Sequence, residues 1–254
     1  LMTNRLYTEG KFTNKEAAII MTGFSTVSAA FMVIVAKTSG LMDRWNMFFW
    51  TALLITFAVS AITARLKPLT SLADVYYTEV GDPEPEYRKN LIKNAFYEGL
   101  SVSDQAGSLA KNMWRNFKDG CMMLLGFIPV LVSVGLLSFI LIKMTPIFDI
   151  LGYIYYPFTF IVGADAPMEV AKAAAVVAGE MFIPTAMMAG TSASLASKYI
   201  VAIVSISTIV FFSGPIPCIV ATDVDISVKD MVIVMIQRTA LSIIFAGLFA
   251  KFLF

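Results

Sequence analysis

The chain contains no histidine, only two cysteines and few charges: 15% of its 254 residues are Asp, Glu, Lys or Arg, against 58% hydrophobic. Without histidine there are no imidazole metal ligands, no His-based catalytic triad and no histidine proton relay. No catalytic dyad and no metal set is visible among the other residue types, so the chain reads as non-enzymatic and free of cofactor and metal. A net charge of +1 gives no global attraction to nucleic acid. Cys121 and Cys218 lie in apolar sequence and read as small buried hydrophobes rather than a disulfide. No signal-peptide pattern is visible either, so insertion is expected through the spans themselves. Leu1-Met2-Thr3 fits a start at Met2 or the tail of an earlier helix equally well.

What is present is greasy sequence. A mean hydropathy of +0.77 lies outside the soluble range and implies an all-α, polytopic helical membrane protein surrounded by lipid. Its organising stretch is residues 13–40, an apolar segment of crossing length interrupted by Thr22, Gly23, Phe24, Ser25, Thr26 and Ser28. Lipid cannot satisfy freed backbone groups, so a break there must be buried in protein or line a wet cavity. Broken segments of this kind hold solutes near the midplane in transporters. The alternative is that the hydroxyls glue helices together.

Thr13 or Asn14 is the expected N-cap of the first helix, and Ser39-Gly40 its stop. A second span is expected from Trp45 to Ala64, with Trp45 and Trp50 as interfacial anchors. Residues 65–118 form a polar loop that holds Asp82-Pro83-Glu84-Pro85-Glu86 and two amphipathic helices, the second capped by Ser103. These helices lie on the membrane surface or pack on their own bundle. Eight Lys/Arg between Arg65 and Lys118 place the loop in the cytoplasm. The first segment either crosses or folds back as a hairpin.

The block 119–254 opens with a span from Gly120 to Ile142, kinked at Pro129. A short, two-proline limb from Thr145 to Phe158 suits a half-helix. Residues 167–189 read as one interior, alanine-rich helix carrying Glu169, Lys172 and Glu180, with Lys172 as neutralising partner of Glu169 or Glu180. The run Tyr199–Val220 is broken at Ser213-Gly214-Pro215-Ile216-Pro217, either to present carbonyls to a cation or as a proline kink. The last helix is capped by Asp225 or Ser227 and carries Arg238 among apolar residues. Arg238 pairs with a carboxylate, reaches an anionic solute, or snorkels. Asp165 is a site carboxylate or an ordinary helix-start acid. Glu180, mid-helix in this reading, is a candidate for ion coupling together with Glu169.

The runs Thr13–Ile19 and Met21–Ser28, with Trp45-Asn46, Thr145–Asp149, Leu151–Tyr153, Tyr156–Phe158, Glu180–Pro184, Phe211–Ser213, Ile216–Cys218 and Gln237-Arg238, resemble the YjiH-type bacterial membrane proteins of the nucleoside recognition, or Gate, superfamily. Met21–Ser28 and Gly163-Ala164-Asp165-Ala166-Pro167 are similar to the two hairpin tips with which concentrative nucleoside transporters of that superfamily hold nucleoside and cation. The resemblance implies a Gate-like fold with broken helices or re-entrant hairpins, and sequence preceding Thr3.

The expectation is therefore one transmembrane domain over 1–254, in the inner membrane of a bacterium. It would be a secondary transporter, coupled to protons or sodium, for a small polar solute such as a nucleoside-like metabolite. Substrate contacts would come from Thr22, Gly23, Phe24, Ser25, Thr26, Ser28, Asp165, Ser213 and Gly214, and coupling from Glu169, Glu180 and Arg238. A homo-oligomer or a partner membrane subunit is expected. The rival is a non-transporting Gate-fold subunit of a membrane complex.

Overall fold

The protein is described by a computed structural model covering residues 2–24, 26–78, 81, 90–105 and 107–254. Ser25, Asp82-Pro83-Glu84-Pro85-Glu86, Arg88 and Lys89 lie outside the described residues. Twelve α-helices occur among those that are described: α1 Met2–Thr8, α2 Asn14–Gly23, α3 Ala29–Thr38, α4 Trp45–Thr63, α5 Leu91–Gln105 and α6 Leu109–Met144, then α7 Ile147–Ile161, α8 Pro167–Val176, α9 Ile183–Ala189, α10 Leu195–Ser207, α11 Pro215–Val220 and α12 Val228–Leu253. This is an all-α membrane protein. Met42–Thr63, Leu109–Met144 and Val228–Leu253 are each long and apolar enough to cross a bilayer.

The first segment traverses the bundle. At one end, called lower here, Thr13 bridges Tyr76 and the Asn14 N–H donates to the Val75 carbonyl at 2.8 Å, beyond the end of α4. The segment's other end, at Ser39–Leu41, adjoins the start of α4 at the upper end. Thr13 is the N-cap, in a capping box with Glu16. The chain breaks after Gly23 and restarts at Ala29, where the Ser28 hydroxyl accepts from the Phe31 N–H. Gly40, at φ +73°, supplies the left-handed residue that stops α3.

Helices α7 and α8 form an antiparallel hairpin whose turn, Val162–Ala166, lies at the upper end, where Asp165 binds the start of α10. The stretch expected as one helix over 167–189 is two. It ends at Val176 and restarts at Ile183, with Pro184 in the first turn of α9. Because α8 starts and α10 begins at the same upper end, α8 and α9 descend and return as a re-entrant hairpin with its tip at 177–182. Glu180 is therefore not mid-helix. It sits in that tip and closes α9, accepting from the N–H groups of Phe182 (2.7 Å) and Ile183 (3.0 Å). Lys172 pairs with Asp149 at 2.9 Å rather than with Glu169 or Glu180.

From the upper end α10 descends and stops at Ser207, six residues before the expected break at Ser213, and α11 completes the traverse. Ser227 rather than Asp225 caps α12, accepting from the Asp230 N–H. The order α1, α2, break, α3, α4 thus recurs as α9, α10, break, α11, α12. The leading helices have seven residues each and the caps are Thr13 and Ser194. The first broken crossing runs upward and the second downward.

The separate amphipathic helix and span expected on either side of Gly120 are one continuous α6, because no proline or cap intervenes and one glycine costs a helix only about 1 kcal/mol. Ser103 lies inside α5 rather than capping a helix. On α5, Leu91, Ile92, Phe96 and Leu100 are exposed, so this helix does not pack on its own bundle.

Candidate functional site

The buried apolar residues fall into two groups. An upper core joins Met32, Val35, Phe48, Ile55, Val59, Tyr199, Ile203, Ile206 and Ile243; a lower one joins Ala17, Ala18, Leu69, Ile209, Val210, Met231, Val234 and Met235. Between them in sequence on α2, α4, α10 and α12 stand Thr22, Ser60, Thr63, Ser207, Thr208, Arg238, Thr239 and Ser242, all buried. They form a polar layer across the bundle, at the level of both breaks.

Arg238 is its centre. Counted along α12 at about 1.5 Å per residue, it lies some 15 Å from one helix end and 22 Å from the other, and it is 0% exposed. It does not snorkel, and among the described residues no carboxylate lies within ion-pair distance of it. Its Nη2 donates to the Ser207 carbonyl at 2.8 Å. Its Nη1 donates to the hydroxyls of Ser60 (3.2 Å) and Thr63 (3.4 Å), while Nε has no partner. The Ser60 hydroxyl in turn shares its proton between the Gly23 carbonyl at 2.6 Å and the Thr56 carbonyl of its own helix at 2.8 Å. Ser207 and Ser242 share a 2.6 Å hydroxyl hydrogen bond, and Thr208 and Thr239 one of 3.2 Å. Thr22 is buried and donates to the Ala18 carbonyl, so its hydroxyl is engaged within its own helix.

The second break meets the re-entrant tip through the backbone. The Phe212 N–H donates to the Ala178 carbonyl (2.8 Å) and the Ser213 N–H to that of Gly179 (3.1 Å). The Ser213 hydroxyl is buried without a partner. The Phe182 ring at the tip packs edge-on against Phe31 of α3, centroids 6.2 Å apart. Three backbone interruptions, at 24–28, 177–182 and 208–214, therefore meet in one region.

Below that region a cleft of about 510 Å³ opens between the two broken crossings. Ile20, Met21 and Phe24 line one side, Ile209, Phe211 and Gly214 the other, with Cys218 and Thr222 from the α11 segment and Thr3 from α1. Its described lining includes no charged side chain. Phe24 is 57% exposed, as a ring facing a cleft would be.

Of the sequence-derived site residues, Phe24 and Gly214 line this cleft; Thr22, Gly23 and Ser213 are buried beside it; Thr26 and Ser28 are exposed beyond the break. Asp165 is not with them. It stands at the upper end, accepting from the N–H and hydroxyl of Ser194 and from the Ser197 hydroxyl. Burial raises its carboxyl pKa, but these hydrogen bonds outweigh that and hold it below the ordinary value. Glu169 is exposed on the first turn of α8, so Glu169, Glu180 and Arg238 do not form one cluster. Cys121 and Cys218 are free and exposed rather than buried.

Sequence reasoning missed Ser60, Thr63, Ser207, Thr208, Thr239 and Ser242. For Ser60 with Thr63 and Thr239 with Ser242 the signal was hydroxyls three residues apart inside apolar helices, the spacing that places them on one helix face; Ser207 and Thr208 are adjacent at the end of α10.

No family model matches the chain, and no solved structure matches it. It is 27% identical over 247 residues to an uncharacterized protein of Alkalihalophilus pseudofirmus, a match covering 96% of this chain and 53% of that protein. The chain thus spans about half the length of that relative.

Proposed function

We propose that the chain is a membrane transporter, or the core of one, for a small polar solute without net charge, acting in the cell membrane of a bacterium. The observation that carries this is the cleft bounded by both broken crossings. The rings of Phe24 and Phe211 and the hydroxyls of Thr3 and Thr222 line it beside the two chain breaks, and broken crossings of this kind hold solutes in transporters. A lining without charge favours an uncharged molecule over an ion. Glu180, next to the carbonyl that receives the Ser213 N–H, is our candidate for the coupling carboxylate. The resemblance to YjiH-type and Gate proteins supports the same reading and makes nucleoside-like compounds the first to try.

The test uses Cys218 as a built-in reporter. In a Cys121→Ser background, uridine, adenosine and other uncharged metabolites should slow N-ethylmaleimide labelling of Cys218 and raise the unfolding temperature. Phe24→Ala should abolish both effects while leaving the fold intact. No protection by any compound, together with no uptake into proteoliposomes, would remove the transporter reading. A second reading, a non-transporting subunit of a membrane complex, is favoured by the nearly unburied α6 and by the greater length of the relative. Its mark would be retention of a partner with the cleft inert.

A further inference from the structure

A helix that stops inside a bundle leaves its last carbonyls without intrahelical donors, and its aligned peptide dipoles give that end about half a negative charge. Ends of this kind hold sodium ions or protons in secondary transporters. Here two of them arrive at one place from opposite directions: α2, rising, ends at Gly23, and α10, descending, ends at Ser207.

Two such ends facing each other repel unless a cation lies between them. The group between them is the guanidinium of Arg238. It donates directly to the Ser207 carbonyl at 2.8 Å, and it reaches the Gly23 carbonyl through one hydroxyl, that of Ser60. A side chain built on Gly23 would begin 3.7 Å from Nη1, so the end of α2 lies against the charge. Two ends of about half a charge each balance one guanidinium, which accounts for a fully buried arginine with no carboxylate beside it. The unpartnered Nε fits a place that selects for charge more than for the full donor set of arginine.

We propose that Arg238 is a tethered cation, occupying a monovalent-cation site made by the two half-helix C-termini of α2 and α10. The protein then needs no free sodium ion at this position, and removing the side chain while leaving its space open converts the position into a site for a soluble cation. The corollary for transport, that solute movement does not depend on sodium, rests on the function proposed above; the cation site itself rests on the fold alone.

The experiment measures thermal unfolding of the purified chain in nanodiscs of uncharged lipid. Wild-type protein should unfold at the same temperature in sodium, potassium and choline chloride of equal ionic strength. Arg238→Ala should be destabilised, then regain about 2–4 °C on addition of ethylguanidinium, with no such gain in wild type or in Arg238→Met, which fills the space without charge. Arg238→Lys should unfold at a higher temperature than Arg238→Gln, a comparison that decides the matter even if Arg238→Ala does not fold. Sodium-specific stabilisation of wild type, a glutamine variant at least as stable as the lysine one, or a folded alanine variant indifferent to ethylguanidinium would each overturn the proposal. Absence of uptake for every solute would instead count against the transporter reading, with these unfolding measurements still deciding the cation site.

Discussion

Asp165, in the turn between α7 and α8, binds Ser194 twice, through the backbone N–H at 2.8 Å and the hydroxyl at 2.7 Å. Ser194 is the N-cap of α10, so the α7–α8 hairpin is fastened to the end of the second broken crossing. The folded pKa of Asp165 is depressed, so its contribution to stability is present above the unfolded value of about 3.9 and is lost as pH falls through the lower folded value. Asp165→Ala should cost about 1 kcal/mol at neutral pH, the low end for hydrogen bonds to a charged group because the carboxylate is exposed. That difference should shrink toward zero in strong acid, as read from unfolding curves across the pH range.

Gly247 of α12 has Val162 against it. A methyl group placed on Gly247 would come within 2.6 Å of both Val162 methyl groups. Gly247→Ala should therefore destabilise by about 1–3 kcal/mol. The Val162 Cβ would lie closer still, so Val162→Ala leaves the clash in place and Val162→Gly removes it; only the double variant with glycine should be more stable than the sum of the single effects allows, an interaction measurable in a double-mutant cycle.

Ser60 relays the Arg238 contact to the end of α2. Ser60→Ala removes that hydroxyl from a buried carbonyl and a buried guanidinium at once. The expected loss is about 1–3 kcal/mol, well above that for Ser71→Ala, an exposed residue whose hydroxyl donates to the Pro68 carbonyl. Equal losses for the two variants in thermal unfolding would show that Ser60 has no special place.

The capping box at Thr13 gives a further outcome. Thr13→Ala should cost about 1 kcal/mol, and Thr13→Ser much less. Hydrogen exchange should localise the effect to the first turn of α2 and the adjoining Tyr76 segment.

The sequence made the broken crossing at residues 22–28 and the second span legible because both signals are local. A glycine with clustered hydroxyls interrupts the one, and tryptophans with terminal basic residues bound the other. The re-entrant tip was harder to see. Gly179-Glu180 sits in alanine-rich sequence that suits a continuous helix, and what ends it is the carboxylate capping α9 and the backbone pairing with Phe212 and Ser213, a contact over thirty residues away in sequence. Asp165 could be picked out as a turn carboxylate, either in the site or at a membrane surface, while its partners Ser194 and Ser197, some thirty residues on, could not. The partner of Arg238 was sought among acids, because side-chain charges can be read from a sequence and the directions of helix ends cannot.

The opposed senses of the two broken crossings also bear on voltage. Helix dipoles that run antiparallel cancel, so shifting these segments together moves almost no dipolar charge through the membrane field. Between the end turns of α2, α3, α4, α10, α11 and α12, Arg238 carries the only formal charge among the described residues. One elementary charge taken across 100 mV changes the energy by about 2.3 kcal/mol. An electrical signature arising from movement of these six helices would therefore report the displacement of that guanidinium, separately from any charge carried at Glu180.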